Sequence, residues 1–168
     1  YANAAKINAE LWAQDEINVI AGKNQIDYNQ NTGAAQFGSA GSGVNLDVGA
    51  LGGMYAGKIM LVGTNSGLGV NVSGNIAAQD SLSISNNGKI TFNKTTTAET
   101  ADGVTENVDN VISSGGSIAI DTYEADIENS TNISAQGNVN ITAGGKLTNS
   151  GKIIAGEEYE AAEGSGSF

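Results

Sequence analysis

The side chains of this sequence that could carry out chemistry are almost all carboxylates. The 168 residues include 18 Asp and Glu but no His and no Cys. Serine and cysteine triads of the usual kind therefore lack their base, and a zinc site of the common type lacks its ligands. What remains is acid and base chemistry between paired carboxyl groups, or oxygen-only coordination of a hard cation.

The acidic residues are concentrated between Glu99 and Glu128, a stretch with eight carboxylates and no cation. A glycosidase needs two carboxyl groups about 5 to 9.5 Å apart, and alternating strand positions would place such a pair on one face. The candidates are Asp121, Glu124, Asp126 and Glu128. A lyase also needs a nearby base, and no Lys or Arg lies between Lys94 and Lys146. Because a solvated acidic flank explains the same residues, we predict that the chain is not an enzyme.

Metal and cofactor sites have little support in the sequence. Asp102, Glu106 and Asp109 could offer oxygen ligands to calcium, but neither the acidic calcium loop nor the Gly-Gly-x-Gly-x-Asp repeat occurs. Gly67-Leu68-Gly69 lacks the rest of a phosphate-loop fingerprint, and corner glycines explain it better. We expect no metal and no cofactor.

Two aromatic residues are candidates for surface contact. Trp12 could offer its ring to a sugar, and Tyr55 could form a small binding patch beside Met54. The alternative is structural: Trp12 would lie at the edge of the core, and Tyr55 would pack on the outer face.

The charge and hydropathy of the chain exclude several partners. Seven Lys and no Arg give a net charge of −11, so nucleic acid and anionic lipid are not expected to bind. No apolar stretch approaches the roughly 18 to 20 residues of a membrane span, and no signal peptide is recognisable. The chain begins with Tyr1 rather than Met, and we expect it to be a piece of a longer protein.

A repeated pattern predicts the elements that position these side chains. Residues 13–23, 78–89 and 135–146 share Ala-Gln, a turn residue, an apolar-polar-apolar triplet, a polar turn and Gly-Lys. Each triplet has the period of a short strand with one buried face. Strands that recur about every 19 to 22 residues favour a parallel β-helix, in which each repeat makes one circuit.

The sequence therefore predicts an all-β parallel β-helix of about six to seven circuits over residues 1–155. Leu11, Ile76 and Ile133 should occupy equivalent positions, and the core should contain Ile, Val, Leu and Ala rather than large aromatic residues. Asn residues are expected to form ladders at the corners.

Three segments depart from the repeat. Residues 28–45 are predicted to form a loose circuit or loop. Residues 95–114 are predicted to form an acidic excursion that leaves the coil, and a hairpin is one form it could take. Residues 156–168 combine four Glu with Gly and Ser, which is typical of a disordered tail or linker.

One string resembles a motif of filamentous-haemagglutinin-type exoproteins, the large secreted partners of bacterial two-partner secretion systems. The string is Gly52-Gly53-Met54-Tyr55-Ala56-Gly57-Lys58-Ile59. Residues 11–27 and 51–90 as a whole look like this family, and residues 132–155 look like its stalk repeats. The resemblance implies a right-handed β-helix at the junction of the secretion domain and the stalk, in a protein secreted to the bacterial cell surface.

The resemblance also implies an outer-membrane two-partner transporter as partner. The family's secretion domain carries Asn-Pro motifs near its start, whereas this chain has no Pro. We therefore expect the cap and the segment that the transporter recognises to lie upstream, and the chain alone not to be secreted.

The leading function hypothesis is a structural stalk segment of a secreted adhesin, with a host or neighbouring-cell surface as its partner. The alternatives are the stalk of a contact-dependent growth inhibition protein that delivers a toxin, and, from another class, a β-helix polysaccharide lyase or hydrolase. Open strand rows at both ends also predict end-to-end self-association, which the net charge of −11 opposes.

Overall fold

The computed structural model describes residues 2–22, 24–27, 32–35 and 43–156. Every helix or strand among them is a β-strand, so none forms a helix that could cross a membrane. The strands are β1 (Ala5–Ile7), β2 (Glu10–Trp12), β3 (Glu16–Ala21), β4 (Asn24–Asp27), β5 (Thr32–Ala35), β6 (Gly43–Val48), β7 (Gly53–Gly63), β8 (Leu68–Val72), β9 (Asn75–Asn86), β10 (Ile90–Phe92), β11 (Thr97–Glu99), β12 (Thr105–Asn107), β13 (Val111–Ser114), β14 (Ser117–Thr122), β15 (Ile127–Asn129), β16 (Asn132–Ala135), β17 (Val139–Ala143), β18 (Leu147–Asn149) and β19 (Ile153–Ala155).

The strands stack in three parallel rows. The first row runs β1-β6-β8-β10-β15-β18. The second row contains β2, the first parts of β7 and β9, then β13, β16 and β19. The third row contains β3, the later parts of β7 and β9, then β14 and β17. The chain returns to each row once per circuit, which is the pairing pattern of a parallel β-helix.

The all-β parallel β-helix predicted from the sequence is therefore confirmed. The six strands of the first row correspond to six circuits in the described residues, within the predicted range. The right-handed sense of the coil stays an implication of the family resemblance.

The register stacks equivalent residues in columns. One column of Cα partners in the second row contains Leu11, Met54, Ile76, Ile112, Ile133 and Ile153. The predicted equivalence of Leu11, Ile76 and Ile133 is thus confirmed. Side chains alternate strictly in β14, where every second residue is buried, because successive residues of a strand point to opposite faces. The inward positions of all three rows form one core.

The core differs from the expectation at Phe92, which is fully buried. Phe92 has Val72 as its Cα partner in the preceding circuit and Asn129 in the next. A ring is tolerated there because the next residue of the column is smaller and polar. Asn129 in turn donates from Nδ2 to Oδ1 of Asn149, its Cα partner, at 2.8 Å. The predicted asparagine ladder between circuits is confirmed at this corner.

Two antiparallel hairpins leave the coil. In the acidic excursion β11 pairs with β12, but Val111–Ser114 is strand β13 of the coil, so the excursion ends before its predicted limit at residue 114. The second hairpin pairs β4, which precedes the segment predicted to be a loose circuit or loop, with β5, which lies inside it. The Thr, Gly and Ala residues of β5 give no apolar alternation, and the pairing was therefore not visible in the sequence.

The division into a β-helix over 1–155 and a tail over 156–168 stays a prediction. Residues 157–168 lie outside the described part of the chain.

Candidate interaction surface

The two aromatic candidates lie side by side. Trp12 in β2 and Tyr55 in β7 are Cα partners in adjacent circuits. Their rings stack with centroids 4.1 Å apart and planes 15° from parallel. The Trp12 Nε1–H donates to Oε2 of Glu10 at 3.0 Å, and the Trp12 side chain is 71% exposed. The pair presents a flat aromatic surface on the second row of the first two circuits.

The Tyr55 ring also covers Gly53. A Cβ at Gly53 would lie 2.9 Å from Cε2 of Tyr55, closer than van der Waals contact allows. Gly53 therefore gives the Tyr55 ring room to lie against its own strand in the position in which it stacks on Trp12.

The Gly52–Ile59 string is explained by the same strand. Met54, Ala56 and Ile59 are buried in the core, whereas Lys58 is exposed. The register shifts between Ala56 and Lys58, and a Cβ on Gly57, at this bulge, would come 2.6 Å from the carbonyl oxygen of Asp15. Most of the string thus specifies the fold, and the residues it leaves on the surface are Tyr55 and Lys58.

The acidic candidates for a glycosidase pair do not lie together on one strand. Asp121 lies at the end of β14 and Glu128 in β15, while Glu124 and Asp126 lie in the corner between these strands. A shared face would require alternating positions of one strand, and the corner at residues 123–126 interrupts that alternation. A glycosidase pair on one strand face is therefore not what these residues form.

Three of the four acids have structural partners. Oδ2 of Asp121 accepts from Oγ of Ser85 at 2.8 Å, and Oδ1 of Asp126 accepts from the backbone N–H of Lys146 at 2.7 Å. Glu128 forms an ion pair with Lys89 at 2.7 Å. Glu124 is exposed. In the described residues, no group of three or more acidic side chains is close enough to hold a metal ion.

Sequence reasoning missed the surroundings of Glu124 and Asp126. They line an open groove together with Tyr123, which is 74% exposed. The unequal lengths of the corners were the available signal, but they become visible only once the three rows are aligned.

The aromatic pair and the Gly52–Ile59 string both lie in the part of the chain that matches a known family. The TPS secretion domain family matches residues 1–92. The chain belongs to the TPS secretion domain family. TPS proteins are the exoproteins of two-partner secretion systems, so the chain is part of a secreted protein of the bacterial cell surface, and the domain implies interaction with an outer-membrane transporter.

Curated relatives carry related sequences within much longer chains. A "Toxin CdiA" of Yersinia pestis is 41% identical over 140 residues, which cover 82% of this chain and 4% of that protein. A "16S rRNA endonuclease CdiA" of Enterobacter cloacae is 33% identical over 155 residues, 89% of this chain and 4% of that protein. A "tRNA nuclease CdiA-2" of Burkholderia pseudomallei is 42% identical over 100 residues, 58% of this chain and 3% of that protein. No solved structure gives a significant match.

Proposed function

We propose that this chain is the start of a β-helical stalk that carries a distal module of a TPS exoprotein away from the cell surface. The supporting observation is the continuity of the coil. The family match ends at residue 92, yet the same columns continue through Ile112, Ile133 and Ile153 without a change of register. Each added circuit extends such a stalk by about 4.8 Å without new topology.

The distal module we propose is a toxin that acts on a neighbouring cell after contact. The names of the relatives support this choice, because they describe a toxin and nucleases. The chain spans about 4% of the first two of these proteins. Its proposed contribution is mechanical, because a continuous coil can connect the exported domain to a distal module.

Adhesion is the second candidate function. The observation that favours it is the Trp12–Tyr55 stack, a rigid aromatic surface with a largely exposed outer ring. Exposed, preorganised aromatic rings are frequent anchors in protein and sugar recognition.

A deletion experiment in the full-length exoprotein tests the stalk. Ile127 and Leu147 are Cα partners in adjacent circuits, so removing residues 128–147 removes one complete circuit outside the family match. Removing residues 128–137 instead takes out half a circuit and displaces every later column. We expect the first variant to be secreted and presented normally and the second to be degraded or retained, because only the first keeps the apolar columns aligned.

Co-culture of cells that display these variants with susceptible neighbours separates the two functions. Killing of neighbours by the native protein and by the full-circuit variant supports toxin delivery. Attachment without killing supports adhesion, and equal behaviour of the full- and half-circuit variants contradicts the stalk.

We also propose that the isolated chain associates end to end. In the last circuit of the described residues Leu147 and Ile153 are 46% and 38% exposed, whereas their Cα partners in the preceding circuit, Ile127 and Ile133, are buried. Salt screens the repulsion between chains of net charge −11. Light scattering should therefore detect oligomers above about 0.5 M salt, where the Debye length is only a few ångströms, and a strict monomer there would contradict the proposal.

A further inference from the structure

The corner that joins the third row to the first row alternates in length along the coil. It has four residues between β7 and β8 (64–67) and between β14 and β15 (123–126), but three between β9 and β10 (87–89). The short corner is recessed between the two longer ones. An open groove of about 550 Å³ lies there, within the usual size range of ligand sites.

Two of the residues that line the groove are glycines. Gly88 lies in the short corner, and a Cβ there would collide with the carbonyl oxygen of Leu68. Gly67, in the corner that forms one wall, has φ of +78°, a backbone conformation that favours glycine. Both positions exclude larger side chains for reasons of the fold, and the groove stays open as a result.

The opposite wall carries an exposed ring and the carboxylate of Asp126, and the short corner adds the amide of Asn87. Tyr123 is 74% exposed, although large aromatic side chains usually bury most of their surface. Asn87 donates from Nδ2 to the carbonyl oxygen of Thr64 at 2.9 Å, and Asp126 accepts the Lys146 N–H on Oδ1. These bonds hold both side chains in place and leave Oδ1 of Asn87 and Oδ2 of Asp126 for a ligand. Groups fixed in this way lose little entropy on binding.

The charges of the groove select among ligands. Its cation, Lys89, is already paired with Glu128 at 2.7 Å, while Glu124 and Asp126 add two negative charges. An anionic ligand would be repelled, both locally and by the net charge of −11. A neutral sugar suits this groove, because the Tyr123 ring can stack on the apolar face of a sugar ring while nearby oxygens accept hydrogen bonds from the sugar's hydroxyl groups.

We propose that this groove binds a short neutral oligosaccharide. Tyr123 stacks on a sugar ring, and Glu124, Asp126 and Asn87 accept hydrogen bonds from its hydroxyl groups. The site is additional to the stalk function and does not use the Trp12–Tyr55 surface. Because the groove is shallow and has one aromatic wall, the affinity should be weak, with a Kd on the order of 1 mM.

The test is an NMR screen of oligosaccharides against the 168-residue chain, followed by titration, because a Kd on the order of 1 mM is too weak for detection on a glycan array. The panel should contain neutral oligosaccharides of hexoses and N-acetylhexosamines together with their sulfated and sialylated counterparts. The best neutral binder is then titrated into the native chain and into Tyr123→Ala, Tyr123→Phe and Trp12→Ala. Tyr123 and Trp12 are both largely exposed, so all three variants should fold, and circular dichroism checks this.

The expected result is binding of neutral oligosaccharides, weakened about tenfold by Tyr123→Ala. Tyr123→Phe should retain most of the affinity because it keeps the ring, and Trp12→Ala should match the native chain. Three results would overturn the proposal: no neutral oligosaccharide binds, only anionic ones bind, or binding is lost in Trp12→Ala and kept in Tyr123→Ala.

Discussion

Truncating one column residue in two different circuits tests how the stack is stabilised. Ile112 and Ile153 belong to the same column and carry the same side chain, but Ile112 is fully buried and Ile153 is 38% exposed. Ile112 has Cα partners on both sides, Ile76 and Ile133. In the described residues Ile153 has Ile133 on one side alone.

The structure sets the expected free energies. Ile→Ala removes about three carbon atoms, or about 2.4 kcal/mol of transfer free energy at roughly 0.8 kcal/mol each. At Ile112 a closed cavity forms as well, so we expect Ile112→Ala to lower the free energy of unfolding by about 3 to 4 kcal/mol. At Ile153 no closed cavity forms and part of the side chain is already in water, so Ile153→Ala should lower it by about 1 kcal/mol.

Urea unfolding followed by circular dichroism measures both values. Ser113→Ala is the control on the outer face of the same strand, with an expected change within about 0.5 kcal/mol. Equal losses at Ile112 and Ile153, or a loss at Ser113 as large as at Ile112, would refute the column as the source of stability.

Further predictions concern the aromatic surface, the glycine string, the ladder and the ion pair. Trp12 is the only Trp in the sequence, so fluorescence reports on it alone. Tyr55→Leu should shift the Trp12 emission and remove the near-ultraviolet circular dichroism signal of the stacked rings. Unchanged spectra would mean that the rings do not stack. Gly57→Ala forces a Cβ against the Asp15 backbone and should lower the free energy of unfolding by about 1 to 3 kcal/mol. Gly69→Ala should lower it less, because the nearest atom to a Cβ at that position is 3.2 Å away. The reverse order would count against the register of β3 and β7. Asn129→Ala removes the hydrogen bond to Asn149 and leaves the Thr131 carbonyl oxygen without its Asn129 donor. Thermal melting should therefore show that the free energy of unfolding falls by about 1 to 3 kcal/mol. An unchanged free energy would argue against a buried ladder. Lys89→Ala breaks an ion pair that is nearly half exposed. The same melting experiment should therefore show a change in the free energy of unfolding below about 1 kcal/mol. A larger change would show that this pair is shielded from solvent.

The repeat was strong enough to predict the coil from the sequence. The triplets of period two indicate the strands, and the Gly and Asn residues beside them indicate the corners. The shared Ala-Gln frame aligns Leu11, Ile76 and Ile133 from the sequence alone. Columns of this kind follow from local pattern, because each circuit contacts its neighbours in the stack.

What the sequence could not predict depends on contacts between circuits and on corner length. The stacking of Trp12 on Tyr55 requires the register of β2 on β7, and β7 has no close copy of the repeat frame. Phe92 lies in the core between two smaller residues of its column, Val72 and Asn129, and this arrangement depends on the register of three circuits. The groove beside Tyr123 arises from corners of different length, a property of the stack rather than of any single repeat.

Cysteine cross-linking between adjacent circuits tests the central claim most directly. Ser83 and Ala119 are outward-facing Cα partners in β9 and β14, and partners in adjacent strands lie about 4.8 Å apart, within the range that a disulfide spans. The chain has no other Cys, so oxidation of the double variant Ser83→Cys, Ala119→Cys should consume both thiols within one chain. The double variant Ser83→Cys, Asp121→Cys shifts the pairing by two residues and should keep its thiols free. Efficient cross-linking of the shifted pair, or none in the aligned pair, would contradict a parallel coil in this register.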